Sequence, residues 1–277
     1  MTNITENANL SGLKRENFQA TIHGKKTDLY ILRNRKGYEV AISNYGGAIV
    51  AIMVPDKDGN VANVIQGHDS IQQLTSGNEP YLSTLIGRWG NRICKGQFTL
   101  NGKEYQLALN DGPNHLHGGK KGFNAKVWEA RQMGPRSLAL HRISSYGEEG
   151  YTGELDVTVE YTFTDENELV IEYLATTNKK TIVNLTHHAF FCLQGAADPT
   201  PTIEDQLCEI NGKSNLIKLA DSTQYLSNCV TGISESGSRY NGTICSSGSA
   251  PITTPAAWVE AFLSSPSSFK DISISFW

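Results

Sequence analysis

The sequence predicts an all-β protein, an antiparallel β-sandwich of many short strands. Three observations predict it. Apolar and polar residues alternate with period two over several runs, turn-forming clusters separate those runs, and no 12-residue stretch carries a helical stripe. With 277 residues, 39% of them hydrophobic and 19% charged, the chain can bury a large core, which excludes wholesale disorder.

The first candidate hairpin runs out over 51–54, turns through Pro55-Asp56-Lys57-Asp58-Gly59-Asn60 and returns over 61–65. In the second, Phe98-Thr99-Leu100 and Tyr105-Gln106-Leu107 flank Asn101-Gly102, a pair that tolerates positive φ at both central positions of a type I′ turn. The third is the clearest. Leu155, Val157, Val159, Tyr161 and Phe163 alternate with Asp156, Thr158, Glu160 and Thr162, so one face is apolar and the other wet. Asp165-Glu166-Asn167 breaks the run, and Leu169, Ile171, Tyr173 and Ala175 resume it. From residue 227 the composition shifts to serine-rich with few charges, and the alternation fades. We therefore divide the chain into a sandwich over 1–226 and a serine-rich segment over 227–277, expected to pack poorly and to make little regular strand pairing.

The net charge is −4 and the isoelectric point about 6.0. No basic stripe of the kind that attracts a phosphate backbone is present, so no nucleic-acid partner is expected. No apolar run approaches the roughly 20 residues that cross a bilayer, and residues 1–18 lack a signal peptide's apolar core. The five cysteines, Cys94, Cys192, Cys208, Cys229 and Cys245, form no C-x-x-C pair, which points to a reducing compartment. A cytoplasmic protein without a membrane partner is the expectation.

The chemistry-bearing residues cluster. His115 and His117 stand two apart, so on a strand both would face one side; His187 and His188 are neighbours and would face opposite sides. The plain readings are a polar turn for the first pair, and one core and one exposed histidine for the second. Imidazoles can also hold zinc or copper, but no acidic or thiol residue stands at a ligand spacing, so no metal is expected. In Ile86-Gly87-Arg88-Trp89-Gly90-Asn91-Arg92-Ile93, two arginines and an asparagine sit among apolar residues. Asn91 and Arg92 carry an amide and forked donors, which suit several sugar hydroxyls at once. The plain alternative is a salt-bridged surface strand.

Order and spacing add a resemblance. Gly87-Arg88-x-x-Asn91-Arg92-Ile93 is followed by Lys95-Gly96-x-Phe98, Asn101-Gly102-Lys103-x-Tyr105, Asn114-x-x-His117-Gly118-Gly119, Gly122-Phe123 and Val127-Trp128. With Asn44-Tyr45-Gly46-Gly47-Ala48 before it and Asn184-Leu185-Thr186-His187-His188-x-x-Phe191-x-Leu193 after it, this set resembles the aldose 1-epimerase (galactose mutarotase) family over about residues 20–225. The resemblance implies the family's β-sandwich, a sugar site in a cleft on its concave face, and interconversion of the α and β anomers of free hexoses without a cofactor. It implies that His188 is the catalytic acid, and that Asn91, Arg92 and His117 bind the sugar. His187 stands where the family motif usually has asparagine, and His115 inherits no role.

The chain also departs from the pattern. The family's substrate-binding aspartate element and its catalytic glutamate motif are absent, and no motif marks Glu260 or another late carboxylate as the base. A shifted reading frame after about residue 227 is expected over a diverged surface, because length, alternation and both acidic motifs are lost together. The expected consequences are a sandwich incomplete at its C-terminal side and little mutarotase activity. Two other readings are a non-catalytic carbohydrate-binding protein and a hexose-6-phosphate 1-epimerase, the latter using Lys120 and Lys121 beside His117.

Overall fold

The computed structural model describes residues 9–197 and the backbone of 267–275. Two antiparallel sheets face each other. The first has four strands, Leu29–Arg33, Glu39–Ser43, Ile49–Pro55 and Val61–Asn63, in sequential order. The second has five, in the order Glu129–Gln132, Ser137–Ser144, Leu155–Phe163, Glu168–Thr177 and Ser267–Ser275. The described residues contain one α-helix, Ile71–Ser76, besides four 3-10 turns.

Alternation sets the packing. Leu155–Phe163 buries every second side chain and pairs with Glu168–Thr177 from Leu155↔Thr177 to Phe163↔Leu169. The inward residues Val157, Val159, Tyr161, Ile171 and Ala175 form one core with Leu138 and Leu140, and with Leu32, Val40, Ile42, Ile52 and Val54 of the smaller sheet. Two strands of that smaller sheet, Glu39–Ser43 and Ile49–Pro55, are buried on both faces. Their second face meets Phe18, Tyr45, Ala48 and Leu74 in a separate cluster. The continuous apolar run Ile49 to Val54 follows from that double burial, which is why it does not alternate. The Asn101-Gly102 hairpin forms as expected, with φ of 53° and 73° at the two turn residues and Gln97–Leu100 paired to Lys103–Gln106.

One expectation is corrected. Ser267–Ser275 lies in the segment expected to make little regular pairing, yet its backbone pairs antiparallel with Glu168–Thr177, with a register irregularity between Ile171 and Tyr173. Ile272-Ser273-Ile274-Ser275 is a short alternating run, hidden when composition is averaged over the whole serine-rich tract. The strand sits at the sheet edge and supplies hydrogen bonds to a neighbour that would otherwise expose them. Residue 227, the proposed boundary, and Glu260 lie outside the described residues.

Burial on a single strand gives a direct test of this packing. Leu140 is fully buried and Ile143 is half exposed. Leu140→Ala is expected to lower the unfolding free energy by about 2–5 kcal/mol, and Ile143→Ala by no more than about 0.5 kcal/mol, in denaturant titrations followed by tryptophan fluorescence.

Candidate active site

The site is built around residues 83–93, whose backbone is laddered on both sides. On one side, Leu85–Ile86 pairs with Thr186–His187, and the ladder extends through Ser83 N–H to His188 O at 2.9 Å and His188 N–H to Thr84 O at 2.9 Å. On the other side, Arg92–Ile93 pairs with His115–Leu116. One segment therefore brings His188 and His117 together from parts of the chain 71 positions apart. Arg88, 1% exposed, locks the segment to the large sheet and the loop beyond it. Its guanidinium donates to Ser144 Oγ and to the carbonyls of Ser144, Ser145, Thr152 and Gly153 at 2.6–2.9 Å. Gly118 passes so close that any Cβ would collide with the Gly87 carbonyl, and its φ of 88° favours glycine independently.

Asn91 and His117 hold each other. His117 N–H donates to Asn91 O at 3.1 Å, and Asn91 N–H donates to His117 Nδ1 at 3.0 Å. Because Nδ1 accepts, the neutral ring carries its proton on Nε2, free to donate to a ligand. Burial, helped by His188 and Arg92, pushes the His117 pKa down to about 3, so the ring is neutral at neutral pH. The His188 ring meets it edge to face with centroids 5.0 Å apart and stacks on Phe190 at 4.9 Å. Burial lowers the His188 pKa as well, while Glu79 works weakly in the opposite direction. Tyr81 closes the group, its ring 4.7 Å from His117 and 6.3 Å from His188.

Arg92 lies opposite Leu116, next to His117 in the ladder, and its Nε donates to Asp111 Oδ2 at 2.6 Å. The plain salt-bridge alternative thus holds for Arg92 itself, though at the rim of this group rather than on a bare strand. Among the described residues Arg88 forms no such pair, and it is a buried structural tie.

Two placements differ from the strand-based expectation. His115 and His117 do not share a side, because His117 has φ of 50° and leaves the extended conformation. His115 turns into the core instead. Its Nδ1–H donates to Ala108 O at 2.7 Å, so its Nε2 accepts from Tyr151 Oη at 2.5 Å. In the second pair neither ring is fully exposed. His187 points away from His188 and its Nε2 donates to Gly47 O at 2.9 Å. A Cβ at Gly47 would stand 2.5 Å from Leu85 Cδ1, so glycine is what lets Leu85 pack there. Tyr81, Phe190 and Asp111 were not singled out by sequence. Their approach depends on loops that carry no periodicity, although Tyr81 precedes the Gly87-Arg88 motif closely and an aromatic there was a usable signal. Among the described residues no group of three histidine, cysteine or acidic side chains is placed to hold a metal.

The sequence model of the family described as aldose 1-epimerase matches residues 28–227, a span that contains every residue of this cluster. The chain belongs to the aldose 1-epimerase family. Galactose mutarotase of Bos taurus is 45% identical over 160 residues, covering 58% of this chain and 46% of that relative. Aldose 1-epimerase of Escherichia coli (strain K12) is 33% identical over 172 residues, covering 62% and 49%. Among solved structures, an aldose epimerase homologue from C. elegans superimposes with a TM-score of 0.57 at 28% identity, covering 60% of this chain and 50% of its own. Galactose 1-epimerase from Lactobacillus acidophilus NCFM gives 0.56 at 29%, covering 62% and 51%. These matches agree with the family's sandwich. The chain spans about half the length of the curated relatives it matches.

Burial of neutral imidazoles makes stability depend on pH. His117 and His187 are pushed down to about 3 and about 4 by burial, whereas unfolded histidine titrates near 6.5. Between those values the unfolded chain binds more protons, so stability rises with pH there. It is fully present above pH ~6.5 and is lost as pH falls towards the folded values. The melting temperature is expected to drop steadily from pH 7 to pH 4.5. His187→Asn, which removes one titrating group, is expected to make that slope shallower in scanning calorimetry.

Proposed function

We propose that this cluster is the acid and sugar-binding half of an aldose 1-epimerase site, with His188 as the catalytic acid and Asn91, Arg92 and His117 as sugar-binding residues. The observation that carries the reading is the His117–His188 pair, two partly buried imidazoles edge to face at 5.0 Å beside Arg92, within the family's matched span. Anomer interconversion needs a proton delivered to the ring oxygen as the C1–O5 bond breaks, and the proton of the C1 hydroxyl taken away. The open-chain aldehyde rotates about C1–C2 and closes with the two roles reversed, giving the opposite anomer. Imidazole donates and accepts near neutral pH at modest cost, which suits His188 to the ring oxygen. Nε2–H of His117 and the Nη groups of Arg92 supply hydroxyl donors in a partly dry site, where lost partners are costly.

The substrate is proposed to be a free hexose such as galactose or glucose, with no cofactor. No motif in the sequence marks the carboxylate that would take the C1 proton. We therefore propose that turnover by this chain falls about 10²–10⁴-fold below that of a complete acid–base pair. A cytoplasmic location is proposed with it, supported by Cys94, an exposed free thiol, and Cys192, a buried one.

Two measurements on the purified chain test this. Galactose binding is expected by calorimetry, and Arg92→Ala is expected to weaken it at least about tenfold. Polarimetry on fresh α-D-glucose is expected to show at most slow catalysed mutarotation, which His188→Gln abolishes. Sugar binding with no rate that depends on His188 would favour the non-catalytic binding protein, and no binding would remove the site altogether. Rapid mutarotation would show that the base is present.

A further inference from the structure

The Arg92–Asp111 pair is not explained by stability. Both side chains are about one third exposed, at 32% and 33%, and ion pairs that wet contribute little. Its geometry is nevertheless well fixed. Asp111 sits in a tight turn, with its N–H donating to Asn114 O at 3.2 Å and its carbonyl accepting from Asn114 N–H at 2.9 Å. The side chain of Asn110 ties that turn to the backbone of Leu116 and to Gly119 O. Arg92 is held from its own side by its N–H to Asn91 Oδ1 at 2.8 Å and by the ladder to Leu116. The carboxylate takes Nε only, and the two Nη groups make no hydrogen bond within the described residues.

The cation beside the His117–His188 pair, Arg92, carries its own counter-charge. His117 is neutral at neutral pH. Arg92 faces Asp111, and the Glu149 carboxylate accepts from the backbone N–H groups of Lys120 and Lys121 at 2.8 and 3.2 Å. A site built to hold a phosphorylated sugar needs the opposite, cations left unneutralised around the cleft.

We propose that Asp111 is a positioning and specificity-determining residue of this site: it holds Arg92 through Nε, leaves both Nη groups for sugar hydroxyls, and cancels the charge that would draw an anionic sugar. The proposal rests on the sugar-site reading above and goes beyond it by assigning a residue that decides between a neutral hexose and its 6-phosphate. Removing the carboxylate's charge frees the guanidinium both to wander and to attract anions.

The test is calorimetric titration of the full chain and of Asp111→Asn with galactose and with galactose 6-phosphate, after confirming equal melting temperatures. The wild-type chain is expected to prefer galactose. In the variant, galactose binding weakens and phosphate-ester binding tightens, and the two shifts together move the preference by about tenfold. Asp111→Glu is expected to restore most of the wild-type ratio, and 0.5 M salt to remove the gain for the phosphate ester. An unchanged ratio in Asp111→Asn, with galactose still bound by the wild type, overturns the role of Asp111 alone. Failure of the wild type to bind galactose overturns the sugar-site reading and this inference with it.

Discussion

Backbone hydrogen bonding of residues 83–93 is the constraint on which the site depends. A buried strand segment must satisfy its N–H and C=O groups, and this one does so on both edges with different parts of the chain. The pairing with 184–188 delivers His188, and the pairing with 115–117 delivers His117 and sets Arg92 beside it. The bonds that hold up the fold are thus the same bonds that assemble the site. Arg88 reinforces the arrangement from behind, exchanging five hydrogen bonds with the loop ends of the large sheet for the cost of burying its charge. Loss of that ladder would separate the two histidines without touching either one.

The two imidazoles of the site differ in how they are held, and the difference matches their proposed roles. His117 is fixed at Nδ1 by a backbone N–H, so its tautomer is settled before a ligand arrives. That is preorganisation for a hydroxyl donor. His188 is held by its backbone and by ring contacts with His117 and Phe190. Burial weakens its basicity, so its protonated form is a stronger acid than free imidazolium. His187, its neighbour, serves the scaffold through Gly47, which also accepts from Tyr161 Oη.

Much of the fold was legible because it is periodic. Leu155–Phe163, its return strand and the Asn101-Gly102 turn declare themselves through alternation and turn chemistry. What was hidden follows from local departures. His117 breaks the two-residue rule by its positive φ, so side-chain phase did not carry across from His115. Within Ser267–Ser275 only residues 272–275 alternate, too short a run to stand out in a serine-rich background. Asp111 and Tyr81 reach the site through loops, where spacing carries no information about distance. His188, Asn91, Arg92 and His117 were named through family motifs; their spatial grouping needed the structure.

In the proposed site His117 and His188, and not His115 or His187, face a bound sugar. Long-range proton–nitrogen NMR of histidine rings during a galactose titration tests it most directly. His117 is expected to start with Nδ1 unprotonated and Nε2 protonated, and galactose is expected to shift the His117 and His188 ring nitrogens while those of His115 and His187 stay in place. Shifts at His115 or His187 with His117 and His188 unmoved would contradict it.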